Sequence, residues 1–340
     1  MIEKRRIKFK IVCDSRESFP QKQYDGILYS DHPKLKTIQE FQECIQSLGY
    51  ECEYFGGIYE LIQACNHEYQ NDDSIFINIG DGLDQHYSRV QAPILLELLN
   101  VKYTNSNPFV SALLSNKHYT KISVQEYVKT PYGIIFYNDL PIPHRLIEKL
   151  TFPVIVKPNT EGSSVGITQQ SVCNSPERTK QQIRKLKEEF QEILIEEYIP
   201  GYEVTNLVFG NKNNLVMNEV IAFSINNNLF FEKEILGFEE KILKKRQLLP
   251  ATQILNNDII KKIKQTSALL MKKLNIWDVS RFDYRITQDN TIILLEINSA
   301  PRLSRTTELG FIANQYQASY ESFVDLYLKC AIQRLYQSCE

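Results

Sequence analysis

Residues 279–298, VSRFDYRITQDNTIILLEIN, read as two β-prone runs either side of a polar turn, and they decide the fold. Val279–Ile286 and Thr291–Ile297 are predicted strands of a hairpin, turned at Gln288, Asp289 and Asn290. The two-residue period of a strand puts Arg281 and Asp283 on one face of the first run, and Glu296 and Asn298 on one face of the second. A turn that pairs Ile286 with Thr291 sets Arg281 opposite Glu296 and Asp283 opposite Leu294. Phe282, Tyr284, Leu295 and Ile297 then fall on the apolar side. Two carboxylates and an amide oxygen converging on one spot suit hard divalent cations held against phosphate oxygens. A solvated sheet face with a surface ion pair would show the same pattern, so the choice rests on what the rest of the chain brings.

Upstream, the apolar strand Phe152–Val156 runs into Lys157, whose ammonium can reach phosphate oxygens. Glu161-Gly162-Ser163-Ser164-Val165-Gly166 follows, with glycines that let backbone N–H groups approach an anion and hydroxyls that can donate to it. An ordinary surface turn is the alternative. A strand at Ile193–Ile195 leads into Glu196-Glu197-Tyr198-Ile199, whose backbone can pair with an adenine edge, and Glu203 stands ready for a ribose hydroxyl. Each piece is common; their order and spacing are not. Gly162–Gly166 also matches the G-x-S-x-G elbow of a serine hydrolase. Against that, Lys157–Glu161 separates the strand from the first glycine, and His32, His67, His86, His118 and His144 all precede Ser164. The elbow needs its histidine downstream. Gly80-Asp81-Gly82 lacks a third glycine to make a dinucleotide fingerprint, and neither a P-loop nor an H-E-x-x-H motif is present.

Farther out, residues 7–13 read as a strand, and Leu35, Ile38, Phe41, Ile45 and Leu48 as a helix stripe capped at Gly49. Strands at Cys52–Phe55 and Ser74–Ile79 flank a short helix near Tyr59–Cys65, so residues 1–105 read as an α/β domain on a parallel sheet. Asn107-Pro108 opens a helix expected to continue past Lys117, and Ser175-Pro176 opens another. Residues 203–236 alternate as strands, and the polar, Lys-rich stretch Glu239–Arg246 reads as a mobile loop. Asp258–Leu274 and Tyr320–Tyr336 are predicted helices. With 43% hydrophobic and 24% charged residues, the 340-residue chain has the balance of a globular protein of two or three domains. A net charge of −2 gives no field for nucleic acid or an anionic membrane. No run approaches the roughly 18 apolar residues of a membrane span. Lys4–Arg6 precedes strand-like alternation, unlike a secretion signal. Seven scattered cysteines without a C-x-x-C pair imply free thiols in a reducing cytoplasm.

Taken together, FPVIVKPNTEGSSVG (152–166), ILIEEYIPGYEV (193–204) and RFDYRI…LLEINSAPRLS (281–304) resemble the successive motifs of D-alanine:D-alanine ligases and their ATP-grasp relatives. TNSNPFVSALLSNKHYTK (104–121) is similar to the family's run toward its first ATP-contacting lysine. The resemblance covers most of residues 75–335. It implies an α/β (α+β) ATP-grasp fold in three parts. These are a Rossmann-like pre-ATP-grasp domain at 1–105, a central subdomain at 106–196, and a C-terminal subdomain with the metal site at 197–340. It implies that Lys117 and Lys157 grip the nucleotide phosphates under the Ser163–Ser164 loop. Glu196 to Ile199, through Glu197 and Tyr198, would face adenine, and Glu203 the ribose. Asp283, Glu296 and Asn298 resemble the ligands of two Mg²⁺ ions, for which Mn²⁺ could substitute. Arg281 resembles the arginine that steadies the reacting groups, and Lys241 a lysine that folds over the γ-phosphate, with Ser163 and Arg281 completing the catalytic set. The implied reaction is ATP-dependent amide formation between amino acids or similar small molecules, or other L-amino acid or peptide substrates in a specialised pathway, by way of an acyl phosphate. Relatives are commonly homodimers.

Departures from the family concentrate where substrates would bind. Its Gly-Gly-x-Ser-x-Glu-His segment is Cys13-Asp14-Ser15-Arg16-Glu17-Ser18 here, leaving Glu17 as the candidate for the substrate amino group. Asn78-Ile79-Gly80-Asp81-Gly82 replaces its His-Gly, Ile242 follows Lys241 in place of tyrosine, and Arg302 replaces a glycine after Pro301. Arg302 suits either a structural ion pair or a substrate carboxylate.

Overall fold

A computed structural model describes residues 7–19, 32–67, 69–80, 82–83, 87–235, 237 and 246–337. Phe9 and Ile11 point to one side of β1 (Lys8–Val12) and Val12 to the other, so both faces of that strand need cover. It pairs in parallel with β2 (Glu51–Gly56) and β3 (Ile75–Asn78), and β3 pairs with β4 (Lys102–Tyr103), giving the order β2-β1-β3-β4. Helix α1 (Leu35–Ser47) supplies Ile38, Phe41 and Ile45 to one face; α2 (Ile58–Asn66) and α3 (Ser88–Leu98) cover the other. Parallel strands joined by crossovers require such two-sided cover. Helix α3 lies where no element was expected, and Pro93 inside it obscures its helical pattern.

The single helix expected from Asn107 is two: α4 (Pro108–Ser115) and α5 (Lys117–Val124). Asn107 caps the first by accepting from Val110 N. Asn116 leaves helical geometry and caps the second by accepting from Tyr119 N. Lys117 thereby becomes the first residue of a helix.

A second sheet comprises β5 (Gly133–Tyr137), β6 (Val154–Pro158), β7 (Val172–Cys173) and β8 (Glu192–Glu197), antiparallel in the order β5-β8-β6-β7. With α6 (His144–Ile147) and α7 (Pro176–Leu186) it encloses its own core around Phe136, Val156, Ile183 and Ile195. The third sheet runs β12-β10-β9-β13-β14, with β11 on β9. Its strands are β9 (Gly201–Asn211), β10 (Asn214–Ile225), β11 (Phe230–Phe231), β12 (Arg246–Pro250), β13 (Val279–Ile286) and β14 (Ile292–Asn298). Helix α8 (Asn257–Lys273) packs Ile263 and Leu270 on one face, alongside Val110, Leu114 and Val124 of α4 and α5. Helices α9 (Glu308–Gln315) and α10 (Tyr320–Gln337) cover the other, where Leu207, Phe209 and Tyr327 join Phe9 and Ile38 in one continuous core.

Two expectations need correction. Arg246, assigned to a mobile loop, is the first residue of β12 and pairs with Ile225; the rest of that stretch lies outside the described residues. In the β13–β14 hairpin, Ile286 pairs with Ile292 and not with Thr291, and the register shifts beyond Tyr284 so that Asp283 faces Glu296 and Arg281 faces Asn298. Leu295 is the extra residue, and Leu294 takes its place in the apolar core. The six described cysteines, Cys13, Cys44, Cys52, Cys65, Cys173 and Cys330, are free, while Cys339 lies outside the described residues. No described helix is long and apolar enough to cross a membrane.

Candidate active site

The bulge at Leu295 leaves Arg281, Asp283, Glu296 and Asn298 on one face while Phe282, Tyr284, Leu294 and Ile297 enter the core. Arg281 spans the Asp283 carboxylate, with Nε 3.0 Å from Oδ1 and Nη2 2.8 Å from Oδ2. Thr205, on the neighbouring β9, donates its hydroxyl to Asp283 Oδ1 at 2.6 Å. Asn298 Nδ2 donates to Asp283 Oδ2 and Glu296 Oε1, both at 3.3 Å. Burial pushes the Asp283 carboxyl up; Arg281 opposes that and the adjacent Glu296 adds to it. Burial alone would raise Glu296 too, but Lys117, Lys157 and Arg281 outweigh it and hold the group well below the usual carboxylate range.

Among the described residues no three His, Cys, Asp or Glu side chains cluster as ligands, so the candidate set is two carboxylates and an amide. Turning the Asn298 amide over makes it an all-oxygen set. Hard oxygens in this number fit Mg²⁺ or Mn²⁺ completed by phosphate and water. Arg281 takes one lone pair of each Asp283 oxygen, and turning the Asn298 amide over opens another on Oδ2 for a cation.

Facing this surface are the lysines. Lys117, at the N-terminus of α5, has Nζ 3.8 Å from Glu296 Oε2 and also donates to the carbonyl of Glu161, in the loop that carries Ser163 and Ser164. Glu196, on β8, is buried between two ammonium groups: Lys157 Nζ on β6 and Lys121 Nζ on α5, each 2.6 Å from a carboxylate oxygen. Burial would raise the Glu196 carboxyl, and the two lysines together bring it below its ordinary value. Lys121 goes down to about 8, because burial and the like charges of Lys157 and Lys117 exceed the pull of Glu196. Burial also lowers Lys117, against Glu296 and with Lys157 and Arg89. Lys121 and Thr205 were not singled out from sequence. Lys121 stands four residues after Lys117, on the same helical face, and that spacing was its signal.

Beyond the lysines, the Glu197 N–H donates to Tyr132 O and the Tyr198 N–H to Pro153 O, and among the described residues this leaves the Ile199 N–H of that run for a ligand edge. Glu203 pairs with Arg285 at 2.6 Å, and Arg285 also reaches the Ile199 carbonyl and the Tyr198 hydroxyl. Ser163 and Ser164 have left-handed backbones, with φ of 45° and 64°, in a run of turns. No helix starts at Ser164, so the hydrolase elbow is absent. Lys241 lies outside the described residues. Glu17 accepts from Leu35 N at 2.9 Å, at the start of α1. Next to the face that carries Arg281, Asp283, Glu296 and Asn298 opens a cleft of about 540 Å³, lined in part by Ser163, Arg281, Asn298 and Arg302.

A family model described as D-ala D-ala ligase C-terminus matches residues 116–329, well over half the chain and every site element from Lys117 to Asn298. The chain belongs to the D-alanine:D-alanine ligase family. Among relatives of this ligase-like chain, the D-alanine--D-alanine ligase of Aquifex aeolicus is 26% identical over 298 residues, 86% of this chain and 93% of that protein. That of Carboxydothermus hydrogenoformans is 29% identical over 247 residues, 70% and 76% of the two chains. Among solved structures, the Bacillus anthracis D-alanine--D-alanine ligase complexed with ATP superposes with a TM-score of 0.71 at 18% identity, covering 96% of this chain and 97% of that one. The VanG D-Ala:D-Ser ligase of Enterococcus faecalis gives 0.70 at 17% identity, covering 95% and 99%. The fold is ATP-grasp, and the chain is an ATP-dependent carbon–nitrogen ligase of the D-alanine:D-alanine ligase type.

Proposed function

We propose that the protein joins a carboxylate to an amine through an acyl phosphate, releasing ADP and phosphate, and that amino acids or similar small molecules are its substrates. The observation that carries this is the 3.8 Å approach of Lys117 Nζ to Glu296 Oε2, which puts the cationic wall and the carboxylate face in one place. In this reading Lys117 and Lys157 grip the phosphates and the Ser163–Ser164 loop closes over them. The Ile199 N–H and its neighbours meet adenine, Glu203 meets the ribose, and Glu196 fixes Lys157. Divalent ions on Asp283, Glu296 and Asn298 would neutralise phosphate charge and orient the γ-phosphoryl group. Arg281 faces the reacting carboxylate and stabilises the negative charge that builds there. Lys241 retains its proposed place over the γ-phosphate. The division at residues 105 and 196, a homodimer and a cytoplasmic setting belong to the same proposal.

ADP and phosphate release, followed with ATP, Mg²⁺ and a matrix of D- and L-amino acids, tests it. Asp283→Ala or Glu296→Ala is expected to abolish turnover with the circular dichroism spectrum unchanged; full turnover in either variant refutes the metal assignment.

A further inference from the structure

Joining two neutral amino acids brings to the cleft the reacting carboxylate and the one that the amine substrate keeps, and the cations around the cleft outnumber these. Among its described lining residues are four arginines, Arg89, Arg246, Arg281 and Arg302, and a single carboxylate, Glu308. Glu308 is buried and shared: Arg246 Nη2 donates to it at 2.9 Å. Arg281 and Arg246 also hold its carboxyl below the ordinary range in spite of burial. Glu17, the candidate for a substrate ammonium, serves the start of α1 and does not line the cleft. The other wall is apolar, with Ile38 and Phe41 from α1 facing Leu248 and Leu303. A guanidinium carries five donors in a planar fork, so one existing ion pair leaves donors for a second anion.

We propose that the cleft selects a dicarboxylic amino acid, whose side-chain carboxylate, additional to the α-carboxylates of the pair, is read by Arg302 and Arg246 while its aliphatic stem lies on the apolar wall. This deepens the ligase reading and rests on it. Arg281 and the metal face serve the reacting carboxylate. Arg246 is fixed from behind by Glu308 and by Phe223, over whose ring its guanidinium sits at 4.7 Å, and Arg302 stands exposed at the rim just past β14.

The test compares aspartate and glutamate with alanine in the ADP-release assay, using the wild type and Arg302→Gln. Charge-assisted hydrogen bonds of the usual strength predict a wild-type preference of about tenfold or more in kcat/KM for the acidic substrate, falling toward parity in Arg302→Gln and partly restored in Arg302→Lys. A wild-type preference for alanine, or an acidic preference that survives Arg302→Gln, overturns the inference. A binding measurement separates it from the ligase reading. Glutarate and butyrate are titrated calorimetrically into full-length protein holding adenylyl imidodiphosphate and Mg²⁺, so that the phosphate site is filled. Tighter glutarate binding that Arg302→Gln weakens supports the cleft assignment, and equal affinities overturn it. If glutarate binds selectively but no amino-acid pair turns over, the ligase reading alone fails.

Discussion

Lys121 touches no expected ligand, yet it sets the charge of the residue that holds Lys157. With its ammonium lowered to about 8, it loses its proton as pH rises through that value, and Glu196 is left with one cation in place of two. Nucleotide affinity is therefore expected to fall above about pH 8 in the wild type. Lys121→Arg, which stays protonated, flattens that profile. Lys121→Met weakens nucleotide binding about tenfold or more below about pH 8, the effect of losing one charged hydrogen bond at a buried site, and converges on the wild type above that value; a titration of nucleotide affinity against pH checks both variants. Stability runs the other way. The unfolded lysine keeps its proton up to about 10.5, so between about 8 and that value the unfolded chain binds more protons, and this group's contribution makes the folded state more stable as pH rises. Opposite slopes in binding and in unfolding would identify the lysine as the titrating group.

At the scale of elements, the site depends on two local irregularities, and these are where the sequence was least legible. Most strands and helices were readable from periodicity, as were the hairpin and the shared face of Arg281, Asp283, Glu296 and Asn298. The register was not, because Ile292-Ile293-Leu294-Leu295 is apolar throughout and such a run does not reveal its phase. The bulge settles it by moving Leu294 inward. The break at Asn116 was hidden in the same way: the stretch from Asn107-Pro108 past Lys117 reads as one helix, and the cap that divides it depends on side-chain bonds made across the fold. Asn116 Nδ2 reaches Tyr87 Oη at 2.8 Å and Glu192 Oε2 at 3.1 Å. Asn116→Ala removes the cap and both bonds. It is expected to cost about 1–2 kcal/mol in denaturant unfolding and to raise KM for ATP through misplacement of Lys117, whereas Asn116→Asp retains the cap. The cleft wall was legible only as departures from the family pattern, at Ile79 and Gly80 and at Arg302. Arg89, Arg246 and Glu308 meet there from distant parts of the chain, and no spacing rule connects them.

At the scale of the molecule, the cores are unequal partners. One apolar cluster runs from Phe9 and Ile38 at the N-terminal sheet to Phe209 and Tyr327 beneath the C-terminal sheet, while the central sheet encloses a cluster of its own. Phe209→Ala is expected to cost about 3–5 kcal/mol and Ile183→Ala about 2–5 kcal/mol. Their patterns should differ in hydrogen exchange. The first exposes β1, β3 and β9 together, and the second exposes β5 to β8 ahead of the rest. Simultaneous exposure of all three sheets in Ile183→Ala would show that the central core has no independence. The continuous cluster also bears on ancestry. Because α1 and the sheet that carries Asp283 and Glu296 share one interior, the floor of the cleft is a fixed frame. If Arg302 reads the substrate, new preferences can arise by exchanging rim side chains one at a time without redrawing that frame.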